Sequence, residues 1–299
     1  MTIKTVAVIG ASGNVGAPVV QALLSAGYTV SAITRTTSTS TFPPSVNVIK
    51  ADLTSLESLT SAFTGQDAVI ATIAASEIGN QTLLVDAAVA AGVKRFIPSE
   101  FGHVAAKVTG GLGAMIAGKA KTAAYLDEAA KANLGFTWTG IATGPFFDWG
   151  IGSGFWGVDL KAKKVRVIDS GDELVSSSTL GFVGKSVVAV LQREEETVNK
   201  LIEVVEFTVS QNELVKVLEE KTGTKFEVEK VNGKELGEKG EESLAKGDAW
   251  GAFFDLLLAW NFTDGGDHAV KEEELANGWL GLKSQTVQEA VEEYLAKAK

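Results

Sequence analysis

A chain of 299 residues, 45% hydrophobic and 21% charged, has material for one large domain or two unequal ones and is not the composition of a disordered chain. Its formal net charge of −10 repels phosphate backbones and anionic membranes, so neither nucleic acid nor a membrane is expected as a partner. With no cysteine and only two histidines, disulfides, thiolate catalysis, cysteine-ligated zinc and a multi-histidine metal site are excluded, and no metal is expected.

The chain starts directly in a strand pattern without a signal-peptide core. No apolar run approaches the roughly 20 residues of a membrane span, so the expected location is cytoplasmic. Val6-Ala7-Val8-Ile9 is a short continuous apolar run, as in a strand buried on both faces of a parallel sheet. A helix follows over 15–26 and stops at Gly27. A second strand spans 28–33, and a Thr/Ser-rich loop with Pro43-Pro44 covers 36–45. Strand 46–49, helix 56–63, strand 68–73, helix 81–91 and strand 93–97 come next. A glycine-rich segment over 102–118 then leads to helix 119–131 and strand 136–141. This rhythm predicts an α/β chain with a Rossmann-type doubly wound parallel sheet.

After about residue 145 the rhythm changes. Strands are expected near 164–168, 202–207 and 225–231, and helices near 180–191, 213–220, 249–260 and 287–297. Residues 1–150 therefore read as an NAD(P)-binding Rossmann domain. Residues 151–299 read as a smaller C-terminal α/β substrate region, some segments of which return to the first.

Gly10, Ala11, Ser12, Gly13, Asn14, Val15 and Gly16 lie between the first strand and the first helix. Glycines there permit a tight turn and close approach of a pyrophosphate, whose charge the helix N-terminus favours. NAD sites usually place an acid at the end of the second strand, on the ribose 2′-hydroxyl. Here that strand ends Ile33-Thr34-Arg35. A guanidinium suits a 2′-phosphate, which predicts NADPH ahead of NADH. Asp52 fits an adenine contact and a turn role equally. Thr72, Ile73 and Ala74 fall at the carboxyl edge of the fourth strand, where nucleotides bind.

Short-chain dehydrogenases commonly pair a tyrosine with a lysine four residues on. The three tyrosines, Tyr28, Tyr125 and Tyr294, are followed at that spacing by Ala32, Ala129 and Ala298. Another acid–base group is needed. The loop Gly10 to Gly16, the run Lys94-Arg95-Phe96-Ile97-Pro98-Ser99-Glu100-Phe101-Gly102, and Lys119 ahead of Tyr125-Leu126 resemble the NmrA-like / isoflavone reductase-like family of atypical short-chain dehydrogenases. Thr137-Trp138-Thr139-Gly140 and Gly144-Pro145-Phe146-Phe147-Asp148 resemble its fungal branch. The resemblance implies a lysine acid–base group at Lys119, with Lys121 as the competing choice. A lysine in a dry pocket loses hydration of its ammonium, and its pKa falls toward neutrality. Two departures stand out. The plant reductases often carry Arg where this chain has Ala123, and a second basic residue soon after the equivalent of Arg35. The loop 36–47 contains no Lys or Arg.

His103 fits a proton relay or an exposed loop residue. Gly110 to Gly118 fits a mobile flap or an ordinary loop. Phe101, His103, Phe146, Phe147 and Trp149 are the candidate walls of a substrate pocket, with Phe155 and Trp156 clustered beside them. The stripe Trp250, Phe253, Phe254, Leu257 reads as core, and the acidic run 235–242 as solvated helix or loop. The expected function is NADPH-dependent reduction of a small aromatic or enone-like metabolite by a monomer or homodimer. The alternative is a non-catalytic, NADP(H)-binding redox sensor of the NmrA type. Those regulators lack the reductase lysine, so Lys119 favours the enzyme. A nucleotide-sugar or steroid-modifying extended short-chain dehydrogenase is disfavoured by the missing Tyr/Lys pair.

Overall fold

A strand with helices on both sides needs apolar side chains on both faces, and this requirement places β1 (Thr5–Ile9), whose last four residues are buried, at the centre of the structure. The structure is a computed structural model that describes residues 2–74 and 81–297. In chain order β1 is followed by α1 (Gly16–Ser25), β2 (Thr29–Arg35), β3 (Asn47–Ala51), α2 (Leu56–Phe63), β4 (Ala68–Ala71), α3 (Thr82–Ala90), β5 (Arg95–Ile97), α4 (Gly110–Ala132) and β6 (Thr137–Ala142). Then come α5 (Phe147–Ser153), β7 (Val158–Asp159), β8 (Lys164–Ile168), β9 (Val175–Ser177), α6 (Leu180–Gln192), β10 (Lys200–Glu203), β11 (Phe207–Val209) and α7 (Gln211–Thr222). The chain ends with β12 (Glu227–Val231), α8 (Gly233–Ala245), α9 (Ala249–Phe262), α10 (Asn277–Leu280) and α11 (Val287–Lys297).

The main sheet is Rossmann-like and has seven strands in the order β10-β6-β5-β4-β1-β2-β3. All of its pairings are parallel. The chain reverses its direction of travel across the sheet between β1 and β4, and the crevice at such a switch point is where α/β sheets bind nucleotides. Val19 and Leu23 of α1 share one core with Phe182, Val183 and Val187 of α6. Leu59 and Phe63 of α2, Leu84 and Val85 of α3, and Leu126 of α4 form the core with Phe96 and Trp138. Gly184 permits the close approach of α6 to α1, because a Cβ there would lie 2.7 Å from the Pro18 carbonyl oxygen.

Residues 180–203 rejoin the large sheet through α6 and β10. Arg95, 2% exposed, holds this return in place. Its guanidinium donates to Thr137 Oγ1 at 2.8 Å, Thr139 Oγ1 at 2.9 Å, Thr197 Oγ1 at 2.8 Å and the Glu194 carbonyl at 2.6 Å. A buried cation requires such a full set of acceptors. Burial lowers its pKa to about 10, with Glu194 opposing. Apart from α10, whose Leu280 joins the α1–α6 core, the remaining elements close around a second core of Phe147, Phe155, Trp156, Val165, Leu214 and Phe262. They carry a three-stranded sheet, β12-β8-β7, and the antiparallel pair β9 and β11.

The segment Gly110 to Gly118 is not a flap. It forms the first turns of α4, which begins nine residues before the expected start. Glycine disfavours helix by about 1 kcal/mol, but here it allows backbone contact. The Gly111 N–H donates to Glu241 Oε1 of α8 at 2.8 Å, and a Cβ on Gly111 would meet that carboxylate at 2.7 Å. The acidic run 235–242 is likewise helical within α8, where Gly240 lies against Leu256 of α9. No helix among the described residues is long and apolar enough to cross a membrane.

Candidate active site

The glycine loop is built by close backbone contacts. Gly10 has φ +77°, and a Cβ there would lie 2.3 Å from the Thr72 carbonyl oxygen. A Cβ on Gly16 would lie 2.1 Å from the Gly10 carbonyl oxygen. The Gly13 N–H closes the turn onto the Gly10 carbonyl at 2.8 Å. No side chain caps α1. The Ala17 N–H is taken by the Gly13 carbonyl, the Val19 N–H by the Val15 carbonyl, and Pro18 has none, so the N–H groups left to an anion are those of Asn14, Val15 and Gly16. Thr72 fastens the end of β4 to β1, because its N–H and Oγ1 both donate to the Ile9 carbonyl, at 2.9 and 2.7 Å. Ser99 Oγ donates to the Ile73 carbonyl at 3.1 Å. Thr72 is buried, Ile73 half-buried and Ala74 exposed at this edge. Arg35 is exposed and forms no ion pair among the described residues. Asp52 takes a turn role, accepting from the Thr54 N–H at 2.9 Å and hydroxyl at 2.7 Å.

Lys119 and Lys121 have different surroundings. Helical geometry sets Lys119 on the inner side of α4 with Leu126, seven residues on, while Lys121 is exposed. Lys119 is 4% exposed. Its Nζ donates to the Glu100 carbonyl at 2.7 Å and the Phe101 carbonyl at 3.2 Å. Burial lowers its pKa, and the Glu100 carboxylate opposes that shift. Glu100, itself 4% exposed, is pushed up to about 7 by burial, with Lys119 opposing.

The Glu100 shift carries a stability signature. Between about pH 4.5 and 7 the folded protein retains a proton that the unfolded chain releases, so stability falls as pH rises through this window. Glu100→Gln should abolish that decline. Urea denaturation should show the variant gaining on the wild type by on the order of 3 kcal/mol between pH 4 and pH 7.5. A stability difference independent of pH would contradict the shift.

Beside Lys119 lies a cavity of about 280 Å³, whose lining includes Gly102, His103, Gly144, Ser176, Trp260 and His268. A Cβ on Gly102 would stand 3.5 Å from Lys119 Nζ, which places the ammonium directly behind this wall. The His103 ring meets Trp260 edge-on at 4.5 Å between centroids, and Trp260 stacks on His268 at 3.8 Å. Burial, then the Lys119 ammonium and His268, lower the His103 pKa to about 3 against a hydrogen bond with Asn261. The imidazole is therefore neutral at pH 7. Its Nε2 and the Trp260 indole Nε1 are buried without a hydrogen-bond partner among the described residues. Lys107, at the cavity rim, pairs with Glu203 at 2.6 Å and Glu274 at 2.8 Å. No group of three or more acidic or histidine side chains among the described residues is placed to hold a metal.

The comparisons with known proteins bear on this geometry. Residues 2–149 match the model of the NmrA-like family. Oxidoreductase poxI of Penicillium oxalicum is 35% identical over 95% of this chain and 92% of its own length. Oxidoreductase aprR of Aspergillus flavus is 36% identical over 97% of this chain and 98% of its own. The chain belongs to the NmrA-like family. Among the solved structures that share its fold are two cofactor complexes. AtPrR2 with NADP+ and (+)-pinoresinol has a TM-score of 0.77 at 21% identity, covering 98% of this chain and 99% of that one. The leucoanthocyanidin reductase–NADPH complex of Vitis vinifera has a TM-score of 0.79 at 20% identity, with coverage of 98% and 99%.

Within this NmrA-like chain, the expected aromatic pocket requires correction. Of Phe101, His103, Phe146, Phe147 and Trp149, only His103 lines the cavity beside Lys119. Phe101 packs into the sheet core, and Phe146 lies partly buried against it. Phe147 is fully buried against Trp156 and Phe207. Trp149 is 37% exposed on α5. A second core outside the sheet needs large side chains, and Phe147 joins Phe155 and Trp156 in supplying them. Trp260, Asn261 and His268 were not anticipated. Trp260 continues the helical stripe read as core, and no local motif marks it as a cavity wall.

Proposed function

We propose that this protein is an NADPH-dependent oxidoreductase that reduces a small aromatic or enone-like molecule, with Lys119 as the general acid. The buried ammonium of Lys119 behind the Gly102 wall, at the carboxyl edge of the switch-point crevice, carries this reading. The cradle fits a dinucleotide. Side chains at Gly10 or Gly16 would collide with backbone, and the uncapped start of α1 offers N–H groups to a pyrophosphate. Arg35 would take the 2′-phosphate. The relatives poxI and aprR are named oxidoreductases, and NADPH or NADP+ is bound in the structural neighbours.

When bound, NADPH supplies a hydride to an electrophilic carbon of the substrate. The chain then has to meet the negative charge that develops on the substrate. Lys119 keeps two of its N–H groups on the Glu100 and Phe101 carbonyls, which fixes the direction of the third. Its lowered pKa makes it a better proton donor near neutral pH than an exposed lysine. Neutral His103 presents an imidazole to the cavity without adding a second positive charge beside Lys119. The Trp260 face and the His268 ring stacked on it give that wall an apolar, flat character suited to a planar substrate.

The test is NADPH consumption, followed by absorbance, against a panel of enones, quinones and aromatic ethers. Turnover of at least one compound is expected. NADPH binding with no turnover of any class would transfer the reading to the non-catalytic sensor.

A further inference from the structure

The loop that follows β2 bears no Lys or Arg over residues 36–47, yet the structure brings a cation to it from the neighbouring strand. We propose that Lys50 forms a second arm of the 2′-phosphate site, so that selection of NADPH rests on Lys50 together with Arg35. This inference rests on the NADPH reading above.

Parallel pairing of β2 with β3 sets Thr34 opposite Lys50 and Arg35 opposite Ala51. Lys50 therefore stands beside the last residues of β2. Because β3 is the edge strand, its side chain is free to extend past the strand end. Its Nζ donates to the Thr36 carbonyl at 3.2 Å and the Ser38 carbonyl at 3.1 Å. The same turn is closed by the Ser38 N–H on the Arg35 carbonyl at 2.9 Å. The ammonium is thus fixed on the very turn that Arg35 opens.

Carbonyl partners hold an ammonium without neutralising it, and one of its three N–H groups remains unused. Among the described residues neither Lys50 nor Arg35 forms an ion pair. The nearest acid along β3, Asp52, directs its Oδ1 to Thr54. The far side of the loop is tied to the glycine loop, where Ser40 Oγ donates to Ser12 Oγ at 3.1 Å. Arg35, Lys50, the 35–38 turn and Ser12 therefore border one patch at the carboxyl end of β2. A phosphate monoester approaching there meets two cations, and Glu57, which lines the same hollow as Lys50, forms no ion pair with it among the described residues. In a chain of net charge −10, such a local concentration of positive charge offsets the repulsion of a polyanionic cofactor.

The experiment measures dissociation constants for NADPH and NADH by nicotinamide fluorescence, with wild type, Lys50→Gln and Lys50→Arg, over a range of salt. The proposal expects Lys50→Gln to weaken NADPH about tenfold while NADH changes less than about twofold. It also expects a shallower salt dependence for NADPH in that variant, and most of the preference restored by Lys50→Arg. Equal weakening of both cofactors would reduce Lys50 to a holder of the turn and overturn the proposal. An unchanged NADPH constant would overturn it as well. Wild type with no preference for NADPH would instead sink the cofactor reading, and the role of Lys50 with it.

Discussion

Lys119→Ala should lower turnover by two to four orders of magnitude, the usual contribution of a positioned proton donor, while the NADPH dissociation constant stays within a few-fold of wild type. The separation follows from placement. Lys119 sits behind Gly102 next to the cavity, whereas the glycine loop and Arg35 are proposed to hold the other end of the dinucleotide. Lys121→Ala should leave turnover unchanged, because that side chain is exposed and exposed substitutions away from special features are close to neutral. A general acid must be protonated to act. Raising the pH through the lowered pKa of Lys119 should therefore reduce kcat, with the descending limb below the range of an ordinary lysine. The Lys119→Ala variant also leaves the Glu100 and Phe101 carbonyls without their donor. Some loss of stability, about 1–3 kcal/mol, should accompany it. Cofactor binding by the variant separates that effect from chemistry. Normal turnover in Lys119→Ala would remove the proposed acid.

The sheet was legible because its signals are local. A buried parallel strand is a continuous apolar run, and Val6 to Ile9 carries that signal unaided. The helix over Leu56–Phe63 is marked by Ser55, whose side chain accepts from the Ser58 N–H. The start of α4 was not legible. Four glycines between Gly110 and Gly118 argue against helix on propensity, and contacts of the fold explain three of them: Gly110 and Gly111 face Glu241, 130 residues beyond Gly111, and Gly113 faces the Val108 carbonyl. The site was divided in the same way. Gly10, Arg35 and Lys119 sit in motifs that sequence exposes. Trp260, Asn261 and His268 enter through the packing of α9. A helical stripe shows which face is apolar but not whether a core or a cavity lies against it. Phe147 failed in the opposite direction, because an aromatic near the sheet edge looks the same in sequence whether it lines a pocket or fills a second core. The role of Lys50 depends on strand register, which pairs residues 16 apart.

Gly10→Ala should abolish measurable binding of NADPH and destabilise the fold, and its comparison with Gly27→Ala isolates the reason. Both glycines have positive φ, +77° and +85°, so alanine at either position carries a left-handed strain of about 1–2 kcal/mol. At Gly27 nothing lies within 4 Å of the added Cβ. That variant should show only the strain, as a modest fall in thermal midpoint with cofactor affinity intact. At Gly10 the Cβ would arrive 2.3 Å from the Thr72 carbonyl oxygen and 3.0 Å from Thr72 Oγ1. Neither group can yield cheaply, because the Thr72 hydroxyl and N–H are both bonded to the Ile9 carbonyl. Relief requires the ends of β1 and β4 to separate, and this junction is the switch point where the pyrophosphate would lie. The steric defect thus acts on the fold and the cofactor site together. Titration with NADPH and a thermal melt on both variants read the two consequences. If Gly10→Ala bound NADPH like the wild type, the loop would not be the cradle, and the assignment of Lys119 to a reducing site would lose its cofactor.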